Sequence, residues 1–495
     1  MTRRLAGLAL LVALAAACGG GLEAQDVGRR AVERLRYPPL RFDPPEPEVH
    51  ELPGGIQVYL LEDRALPLVS VIARFQGGYS HYGRPYYAAG TAMPGLLRSG
   101  GTLSLAPDSV DRLLEYYAVQ TTFGGAGESV FAAMNTLTEH LDTALEIWGD
   151  IVRHPRFDSA RLEVWRGQEL ENVSRREDDP ARLAFSEFNE LMFGDHPIGW
   201  EMDAVDLSRE RLSPERMRWL YDRLICPAHL ALGVTGDVSW EEIRPGLEAL
   251  VAEWAPCPEP LPEPPPPVIR REIGVFLIPR ELEQSTIVLA HATDLRQEDT
   301  RDYYASRIGN AILGASGFSS RLLSRVRTEE GLAYSASSLW TTPVRHGGIV
   351  GATTRTKGES TVATILMVQD ILREMTRQPP SSDEVDRAVE EAVNGFVFNF
   401  DSPSQVISRR MFYDAVGLPA DWLERYVRGI QRVRPDDVLR VFRRHVHPER
   451  LVILVVGDPE RFDLPLETLG PVTVLEIDGE PAATSPPSGS PRSPG

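Results

Sequence analysis

The chain has 495 residues, of which 42% are hydrophobic and 25% are charged, and its formal net charge is -19. This length exceeds what one hydrophobic core usually supports, so at least two domains are expected, and the composition is that of a globular protein. The negative charge argues against nucleic acid as a partner, because phosphates attract lysine and arginine and repel an acidic surface.

The amino terminus has the pattern of a bacterial export signal. Two arginines precede an apolar run that is too short to span a bilayer as a mature helix. Residues 1–17 are therefore predicted to be a signal peptide, and Cys18 is predicted to be the lipidated first residue of the mature protein. We expect an outer-membrane lipoprotein that faces the periplasm and contacts the membrane through its lipid anchor. The alternative is a plain secretory peptide cut after Ala17 or near Ala24, which would leave the protein periplasmic.

The next part of the chain is predicted to be an arm followed by a first domain. Residues 18–47 are rich in proline and arginine and should be extended. Residues 48–255 mix strands with long helices, and a further helix starts at Ser213-Pro214. Alternation predicts strands over residues 55–61, 66–75 and 230–234, and helical periodicity predicts helices over 109–117, 139–152, 159–176 and 181–192.

A proline-rich run separates the two halves of the chain. Residues 256–267 contain eight prolines in twelve positions, and such a run neither pairs in a sheet nor continues a helix. It is predicted to be a semi-rigid linker between domains. Cys226 precedes this run and Cys257 lies within it, and either a disulfide between them or two free thiols would suit an exported protein.

The order of motifs repeats after the linker. Three landmarks recur 221 residues further along the chain, namely Pro214 as Pro435, Pro227 as Pro448, and Gly236 as Gly457. Equal offsets between motifs of different types indicate a duplicated domain, so residues 268–477 are predicted to be a second copy. The tail 478–495 is rich in proline, serine and glycine and is expected to be disordered.

The predicted fold class is α+β. We expect two homologous α/β-sandwich domains, each with a mostly antiparallel sheet and helices on one face. A regular βαβ rhythm and a phosphate-binding glycine fingerprint are both missing from the sequence, which argues against a doubly wound parallel sheet.

One stretch of the second domain contains polar groups that could act on one ligand. Residues 319–328 are predicted to form an amphipathic helix, Gly331 suits a left-handed helix end, and residues 332–338 alternate like a strand. Arg327 and Tyr334 could then present a guanidinium and a phenol on the same side. From spacing alone, a capping arginine and a half-buried tyrosine are the simpler interpretation.

With the duplication established, the chain resembles zinc peptidases of the pitrilysin/insulinase group, peptidase family M16. The shorter two-domain members related to mitochondrial processing peptidase are the most similar in organisation. The resemblance covers about residues 52–477 and implies the fold of that family. It rests on the two strands that end in Gly-Asp and on four local motifs, namely Leu66–Val71, Glu177–Pro180, Phe193–Gly199 and Gly331–Tyr334.

The same resemblance implies that the metal site has been lost. In the family, a helix of the first domain carries His-x-x-Glu-His, and a distal glutamate completes the zinc site. The matching positions here are Thr91, Pro94, Gly95 and, for the distal ligand, Asn172. A register shifted by one residue would place Ala92, Gly95 and Leu96 on the helix. This chain is therefore expected to carry no cofactor of its own, and zinc is expected in a partner subunit.

Other catalytic patterns are weak in this sequence. The ten histidines include no pair with His-x-x-x-His spacing. His445 and His447 are close, but they lie at a predicted helix end where a structural role is expected. Ser80-His81 lacks the glycine-rich elbow of a serine hydrolase.

The family's second domain uses an arginine and a tyrosine, seven residues apart, to hold substrate main chain and stabilise charge at the scissile carbonyl. Arg327 and Tyr334 match the residue types and the spacing. Some bacterial members work as two chains, one with the zinc motif and one that keeps only this pair. The resemblance thus implies a non-catalytic, substrate-binding subunit, whose partners are a zinc-bearing M16 subunit and a peptide or unfolded polypeptide. The alternatives are a structural scaffold of this fold and, less favoured, an autonomous zinc peptidase with unrecognised ligands.

Overall fold

The structure is a computed structural model that describes residues 44–477, except for the side chains at Ala126, Phe318, Arg327, Thr328, Glu329 and Val397. The predicted signal peptide, the lipidation site at Cys18, almost all of the predicted arm and the tail 478–495 lie outside the described residues. Within the described range, no helix combines the length and the apolar character needed to cross a membrane.

Residues 45–477 belong to one compact unit that contains two six-stranded sheets. The strands of the first sheet are β1 (Glu48–Leu52), β2 (Ile56–Glu62), β3 (Leu68–Gln76), β4 (Gln120–Ala126), β5 (Ser129–Leu137) and β6 (Leu230–Gly236). Those of the second sheet are β7 (Gly274–Pro279), β8 (Gln284–Thr293), β9 (Ala333–Trp340), β10 (Gly348–Lys357), β11 (Val452–Gly457) and β12 (Val472–Val474).

Helices follow the strands in both halves. The first half contains α1 (Tyr87–Ser99), α2 (Pro107–Tyr116), α3 (Leu141–Arg153), α4 (Ser159–Ser174), α5 (Pro180–Phe193), α6 (Pro214–Leu224) and α7 (Trp240–Val251). The second half contains α8 (Arg301–Asn310), α9 (Arg321–Leu323), α10 (Thr361–Arg377), α11 (Ser382–Val397), α12 (Pro403–Ala415), α13 (Trp422–Gln431) and α14 (Pro435–His445). Two π-helical stretches, Ala311–Ala315 and Ser324–Glu329, continue α8 and α9.

The two sheets share one topology. Their strand orders are β1-β2-β6-β3-β5-β4 and β12-β7-β11-β8-β10-β9, so strands two to six of each list correspond. In each sheet the second and third strands pair in parallel, β2 with β6 and β7 with β11, and β12 also pairs in parallel with β7. The remaining neighbours are antiparallel. The predicted α+β fold with a duplicated sheet is therefore confirmed.

Helices α6 and α14 show how the repeat is encoded. Each begins at a proline, at Pro214 and Pro435, where the missing N–H is one that a first helical turn would leave unpaired. Each leads through a second proline into a buried central strand, β6 or β11. The proline and glycine landmarks that recur in the sequence thus mark the same helix-to-strand unit twice.

The first core lies between one face of the first sheet and its helices. Alternate residues of β3, including Val71 and Phe75, point into this core and are almost fully buried. Leu97 from α1, Trp148 from α3 and Leu220 from α6 pack in the same cluster. This arrangement arises because apolar residues recur at every second position along the strand and at helical spacing along the helices that cover it.

The opposite face of each sheet is covered by a helix from the other half of the chain. Helix α5 belongs to the first half but packs on β8 and β11, where Phe188 and Met192 join the buried residues of the second sheet. Helix α12 belongs to the second half but packs on β2 and β6 through Ile407 and Met411. The sequence predicted helices on one face of each sheet, and the structure has helices on both faces. The periodicity of a helix shows that one of its sides is buried but does not show which sheet it covers.

The fit of α12 against the first sheet depends on a glycine. A Cβ at Gly233 would lie 2.4 Å from Cγ2 of Ile407 and 2.9 Å from Sδ of Met411. Nearby, the Tyr59 hydroxyl donates to a carboxylate oxygen of Asp414 at 2.8 Å. The two halves are therefore joined by close backbone approach and by a hydrogen bond that spans them.

The proline-rich run has no helix or strand and lies between the last helix of the first half and β7. Cys226 and Cys257 form a disulfide, which decides between the two alternatives left by the sequence. Main-chain oxygens of the run also lie within hydrogen-bonding distance of histidine rings. Nδ1 of His81 is 2.6 Å from the Pro262 carbonyl oxygen. The run separates the two sheets in the chain, while the assignment of two independent domains stays a prediction.

Candidate functional site

Helix α1 contains the positions that match the metal-binding helix of the family. The Thr91 hydroxyl donates to the Tyr87 carbonyl oxygen at 2.9 Å, so it is bound within its own helix. Pro94 is buried and lies against β4, since a Cβ at Gly125 would be 3.2 Å from its Cγ. Gly95 is exposed, and a Cβ there would have no atom within 4 Å.

The register shifted by one residue is even less suited to binding a metal. Ala92 and Leu96 are 0% and 2% exposed and belong to the first core. Side chains at these positions face the sheet, so a ligand there would lie inside the hydrophobic core. The register that places Thr91 and Gly95 on the accessible side is therefore the relevant one.

Asn172 lies on α4, which contacts α1. Its side-chain nitrogen donates to a Glu169 carboxylate oxygen at 3.3 Å, and the residue is exposed. The neighbouring Glu171 is paired with Arg175 at 2.6 Å on the same helix. The two helices that would carry the metal ligands are thus both present and adjacent.

The second predicted site lies after α9. A helix is present within the predicted range 319–328 and buries Leu322 and Val326, but it begins at Arg321 and changes its winding. Arg321–Leu323 is α-helical and Ser324–Glu329 is π-helical. In that wider winding Glu330 N–H donates to the Arg325 carbonyl oxygen at 3.2 Å. The predicted stop is confirmed, since Gly331 has φ of 65°.

Two arginines of this segment are held by acidic side chains of the covering helices. Arg321 binds both carboxylate oxygens of Glu384, at 2.8 and 3.0 Å, and Arg325 binds Glu374 at 2.6 Å. The Arg321 guanidinium lowers the pKa of Glu384 to about 2. The backbone of Arg327 lies in the π-helical stretch, and its side chain is outside the description.

Tyr334 occupies a β-bulge at the edge of the second sheet. Ser335 pairs with Arg355 and Ala333 pairs with Thr356, so Tyr334 is the extra residue between two successive pairs. Strand β9 is the last in its sheet, and Tyr334 is 73% exposed. The expectation of a half-buried tyrosine is therefore wrong, because the bulge turns this side chain outward.

Comparisons with known proteins agree with this architecture. Residues 211–392 match the family model described as the peptidase M16 inactive domain. A peptidase M16 inactive domain from Pseudomonas fluorescens has a similar structure, with a TM-score of 0.73, 22% identity, and coverage of 83% of this chain and 98% of that one. A protease from Helicobacter pylori gives 0.71 at 15% identity, covering 84% of this chain and 100% of that one.

The resemblance to peptidase family M16 is confirmed.

The names of the curated relatives differ on whether the protein is a peptidase. A non-peptidase homologue from Helicobacter pylori is 20% identical over 412 residues, which are 82% of this chain and 93% of that protein. An uncharacterised zinc protease from Streptomyces coelicolor is 26% identical over 326 residues, which are 65% of this chain and 70% of that protein. The chain accordingly has the M16 fold.

The M16 metal positions of this chain do not fit zinc. A hydroxyl bound to its own helix, a proline, a glycine and an amide replace imidazoles and carboxylates, and zinc in proteins is held by imidazole, thiolate or carboxylate. In residues 44–477, the one group of three or more potential ligands is Cys226, His229 and Cys257, and its cysteines are joined in the disulfide. The residues at the M16 metal positions therefore offer no metal-assisted hydrolytic step.

The histidines at the end of α14 have structural partners, as expected. His445 Nε2 lies 3.3 Å from an Asp302 oxygen. The main-chain N–H of His447 donates to Nε2 of the buried His291 at 2.8 Å, and His291 Nδ1 donates to the Ala292 carbonyl oxygen at 2.8 Å. Burial lowers the pKa of His291 to about 4, so it is neutral at pH 7.

Two features of the site were missed by sequence reasoning. The bulge at Tyr334 depends on pairing with β10, and no local signal in the strand marks it. The ion pairs of Arg321 and Arg325 join residues about fifty or more positions apart. Arginines at a spacing of four on one helix face were the available hint that the segment faces acidic helices.

Proposed function

We propose that this chain is the non-catalytic, substrate-binding subunit of a heterodimeric M16-type zinc peptidase. The observation that carries the proposal is the contrast between α1 and the segment at Tyr334. The first keeps its helix and lacks every ligand, whereas the second keeps the arginine and tyrosine and exposes the tyrosine on an edge strand. Hydrolysis belongs to a partner subunit that carries the zinc motif.

In this proposal Arg327 and Tyr334 act on a peptide held beside β9. An edge strand offers unpaired main-chain groups to which an extended peptide can add as a further strand. A phenol on a bulge next to that edge can donate to a substrate carbonyl, and a guanidinium can stabilise negative charge that develops on the oxygen. These groups would complete the active chamber without touching the zinc.

The proposal also places the complex outside the cytoplasm. The predicted signal peptide and Cys18 support an outer-membrane lipoprotein that faces the periplasm. An intramolecular disulfide between Cys226 and Cys257 is consistent with an oxidising compartment. Labelling with a radioactive fatty acid tests the anchor, since Cys18→Ser should abolish incorporation and a plain secreted protein would incorporate none in either form.

The test uses this chain purified together with an M16 subunit that carries His-x-x-Glu-His. Arg327→Ala should lower kcat/KM for a peptide by about a hundredfold and Tyr334→Phe by about tenfold, because each removes a donor used in the transition state. The matched control is Tyr116→Phe, since Tyr116 is 79% exposed on α2, far from β9 in the chain. Co-purification of each variant with the partner shows that the complex is intact.

Full peptidase activity in the doubly substituted complex would reject the role assigned to the pair. It would favour the alternative of a structural scaffold, in which Tyr334 and Arg327 have no contact with substrate. Peptide binding by the chain without its partner, measured by fluorescence anisotropy, separates these cases, since a scaffold should bind no unfolded peptide.

A further inference from the structure

A cavity in the second half lies at the place that corresponds to the metal positions of the first half. Helices α1 and α6 pack together in the first half, and their counterparts α8 and α14 pack together in the second. Likewise α1 contacts α4, and α8 contacts α11. The cavity opens between α8 and α11 and has a volume of about 550 Å³, a size typical of small-molecule sites.

The correspondence extends to single positions. When the buried pair Leu96-Leu97 of α1 is aligned with the buried pair Ile312-Leu313, three residues fall on the degenerate metal positions, namely Arg307, Asn310 and Ala311. All three line the cavity. The turn that follows α8 is π-helical from Ala311 to Ala315, and π turns inside helices are frequent at functional sites.

Two arginines without carboxylate partners face this cavity. Arg307 is hydrogen-bonded to Tyr426, and Arg409 donates to the side-chain oxygen of Asn399. The side-chain nitrogen of Asn399 donates to the Phe396 carbonyl oxygen at 3.1 Å. Among residues 44–477, neither guanidinium forms an ion pair, and the carboxylate of the lining, Glu391, is exposed. Both arginines retain N–H donors, since a guanidinium has five.

The chain as a whole has a net charge of -19, whereas two arginines and one carboxylate line this cavity, so its charge is opposite in sign to that of the chain. Most other arginines of the described chain find an acidic neighbour, as Arg321 and Arg325 do with Glu384 and Glu374. Two guanidinium groups in one pocket, held by neutral hydrogen-bond acceptors, make a local positive site. A carboxylate is a suitable ligand for the planar fork of an arginine.

Part of the cavity wall is aromatic. Its rings belong to Tyr303, Phe396, Phe412, Tyr413, Trp422 and Tyr426. Phe396 stacks on Tyr426 with centroids 4.8 Å apart, and Tyr303 lies 5.8 Å from Trp422. Such a wall favours an apolar or aromatic body on the ligand.

We propose that this cavity, between α8 and α11, binds a carboxylate that is attached to an aromatic or large apolar group, with Arg307 and Arg409 as its anion-binding residues. A free aromatic acid and the carboxyl-terminal residue of a peptide share this chemistry. The site is separate from the segment at Tyr334 and does not depend on the proposed function.

The test is isothermal titration of the purified full chain with N-acetylphenylalanine and with its amide, which differs only in the charged group. The acid should bind at least tenfold more tightly than the amide. Arg307→Gln and Arg409→Gln should each weaken binding of the acid about tenfold and leave the amide unchanged. The control is Arg209→Gln, because Arg209 is 82% exposed and paired with Glu163 outside the cavity.

A second pair of probes distinguishes the two sources of the carboxylate. A hexapeptide ending in phenylalanine is titrated with a free and with an amidated carboxyl terminus. Tighter binding of the free-ended peptide than of N-acetylphenylalanine assigns the cavity to chain ends, and equal binding assigns it to small acids. The proposal is overturned if acid and amide bind the unmodified chain equally, if neither binds, or if both arginine variants bind the acid as the unmodified chain does.

Discussion

Helix α1 and the segment from α9 to Tyr334 belong to the same duplicated scaffold. The first lacks the side chains of the M16 metal site, whereas the second keeps the arginine and the tyrosine of the M16 substrate pair. Helix α1 is continuous with Pro94 inside it, is well packed against the first core, and carries no imidazole, thiolate or carboxylate. The later segment departs from regular geometry twice, by a π-helix and by a β-bulge, and exposes a phenol. In α1 the helix and its core packing remain although the ligands are missing, whereas the exposed phenol of Tyr334 lies in a segment where the backbone is distorted and two arginines are ion-paired.

The strongest test of this comparison restores the missing ligands. Because α1 and α4 are in place and Thr91, Gly95 and Asn172 are exposed, the triple variant Thr91→His/Gly95→His/Asn172→Glu should bind zinc stoichiometrically. Histidines four residues apart share a helix face, and a glutamate from α4 supplies a third ligand. Inductively coupled plasma mass spectrometry after gel filtration measures the metal content.

The control for that experiment places alanine at the same three positions. It keeps the helices and supplies no ligand, so it should bind no more zinc than the unmodified chain. Absence of zinc from the triple variant, with an unchanged circular dichroism spectrum, would show that the scaffold itself has moved and would weaken the account of α1.

The next largest effect concerns the ion pairs of the Tyr334 segment. Arg321 is largely buried and binds both oxygens of Glu384, which also caps α11 by accepting from the Ser381 N–H at 2.8 Å. Arg321→Ala should therefore lower the free energy of unfolding by about 2 kcal/mol, since it leaves a partly buried carboxylate unpaired. Urea unfolding measures the loss.

Arg373→Ala is the matched control, because Arg373 forms an exposed pair with Asp370 on α10. Its effect should stay within about 0.5 kcal/mol. Hydrogen exchange should also become faster in Ser324–Glu329 of the Arg321 variant. Equal stability of the two variants would contradict the view that Arg321 holds this segment.

The smallest predicted effect is a pH dependence of the free energy of unfolding, which arises from a histidine of the second half. Burial lowers the pKa of His291 to about 4, below its ordinary value of 6.5, so the unfolded state binds the proton more readily. The stabilisation is complete above pH 6.5 and is lost progressively as pH falls towards 4. Between pH 7 and pH 5.5 the free energy of unfolding should fall by about 1 kcal/mol from this group.

His291→Gln should flatten that dependence, and His154→Gln should preserve it, because His154 is exposed on the first half. The ion pair of Glu384 acts in a lower range, since its pKa of about 2 lies below the ordinary 4.5 and its stabilisation is lost as pH falls from 4.5 towards 2. A slope between pH 7 and 5.5 that persists in His291→Gln would assign the effect to another group.

The repeated helix-to-strand unit could be predicted from the sequence because its determinants are local. In both halves, a proline at the first turn of a helix, α6 or α14, is followed by an apolar strand that ends in glycine. This local pattern forms the same helix-to-strand unit each time. The strand β3 was likewise recognisable from its alternation. The absence of metal ligands at Thr91 and Gly95 was also a matter of residue identity, so it needed no geometry.

Features that depend on distant pairing could not be predicted in this way. Helix α5 covers the second sheet although its periodicity resembles that of helices that cover the first. The bulge at Tyr334 arises from its register with β10. The arginine cavity combines α8, α11, α12 and α13, which are brought together only by the fold.

The central claim is that this chain performs no metal-dependent hydrolysis of its own. Peptide cleavage should be measured with the purified chain alone, with and without a chelator, and with its zinc content determined on the same sample. The account predicts no cleavage above background and no stoichiometric zinc. Robust cleavage by the solitary chain that a chelator abolishes would contradict it.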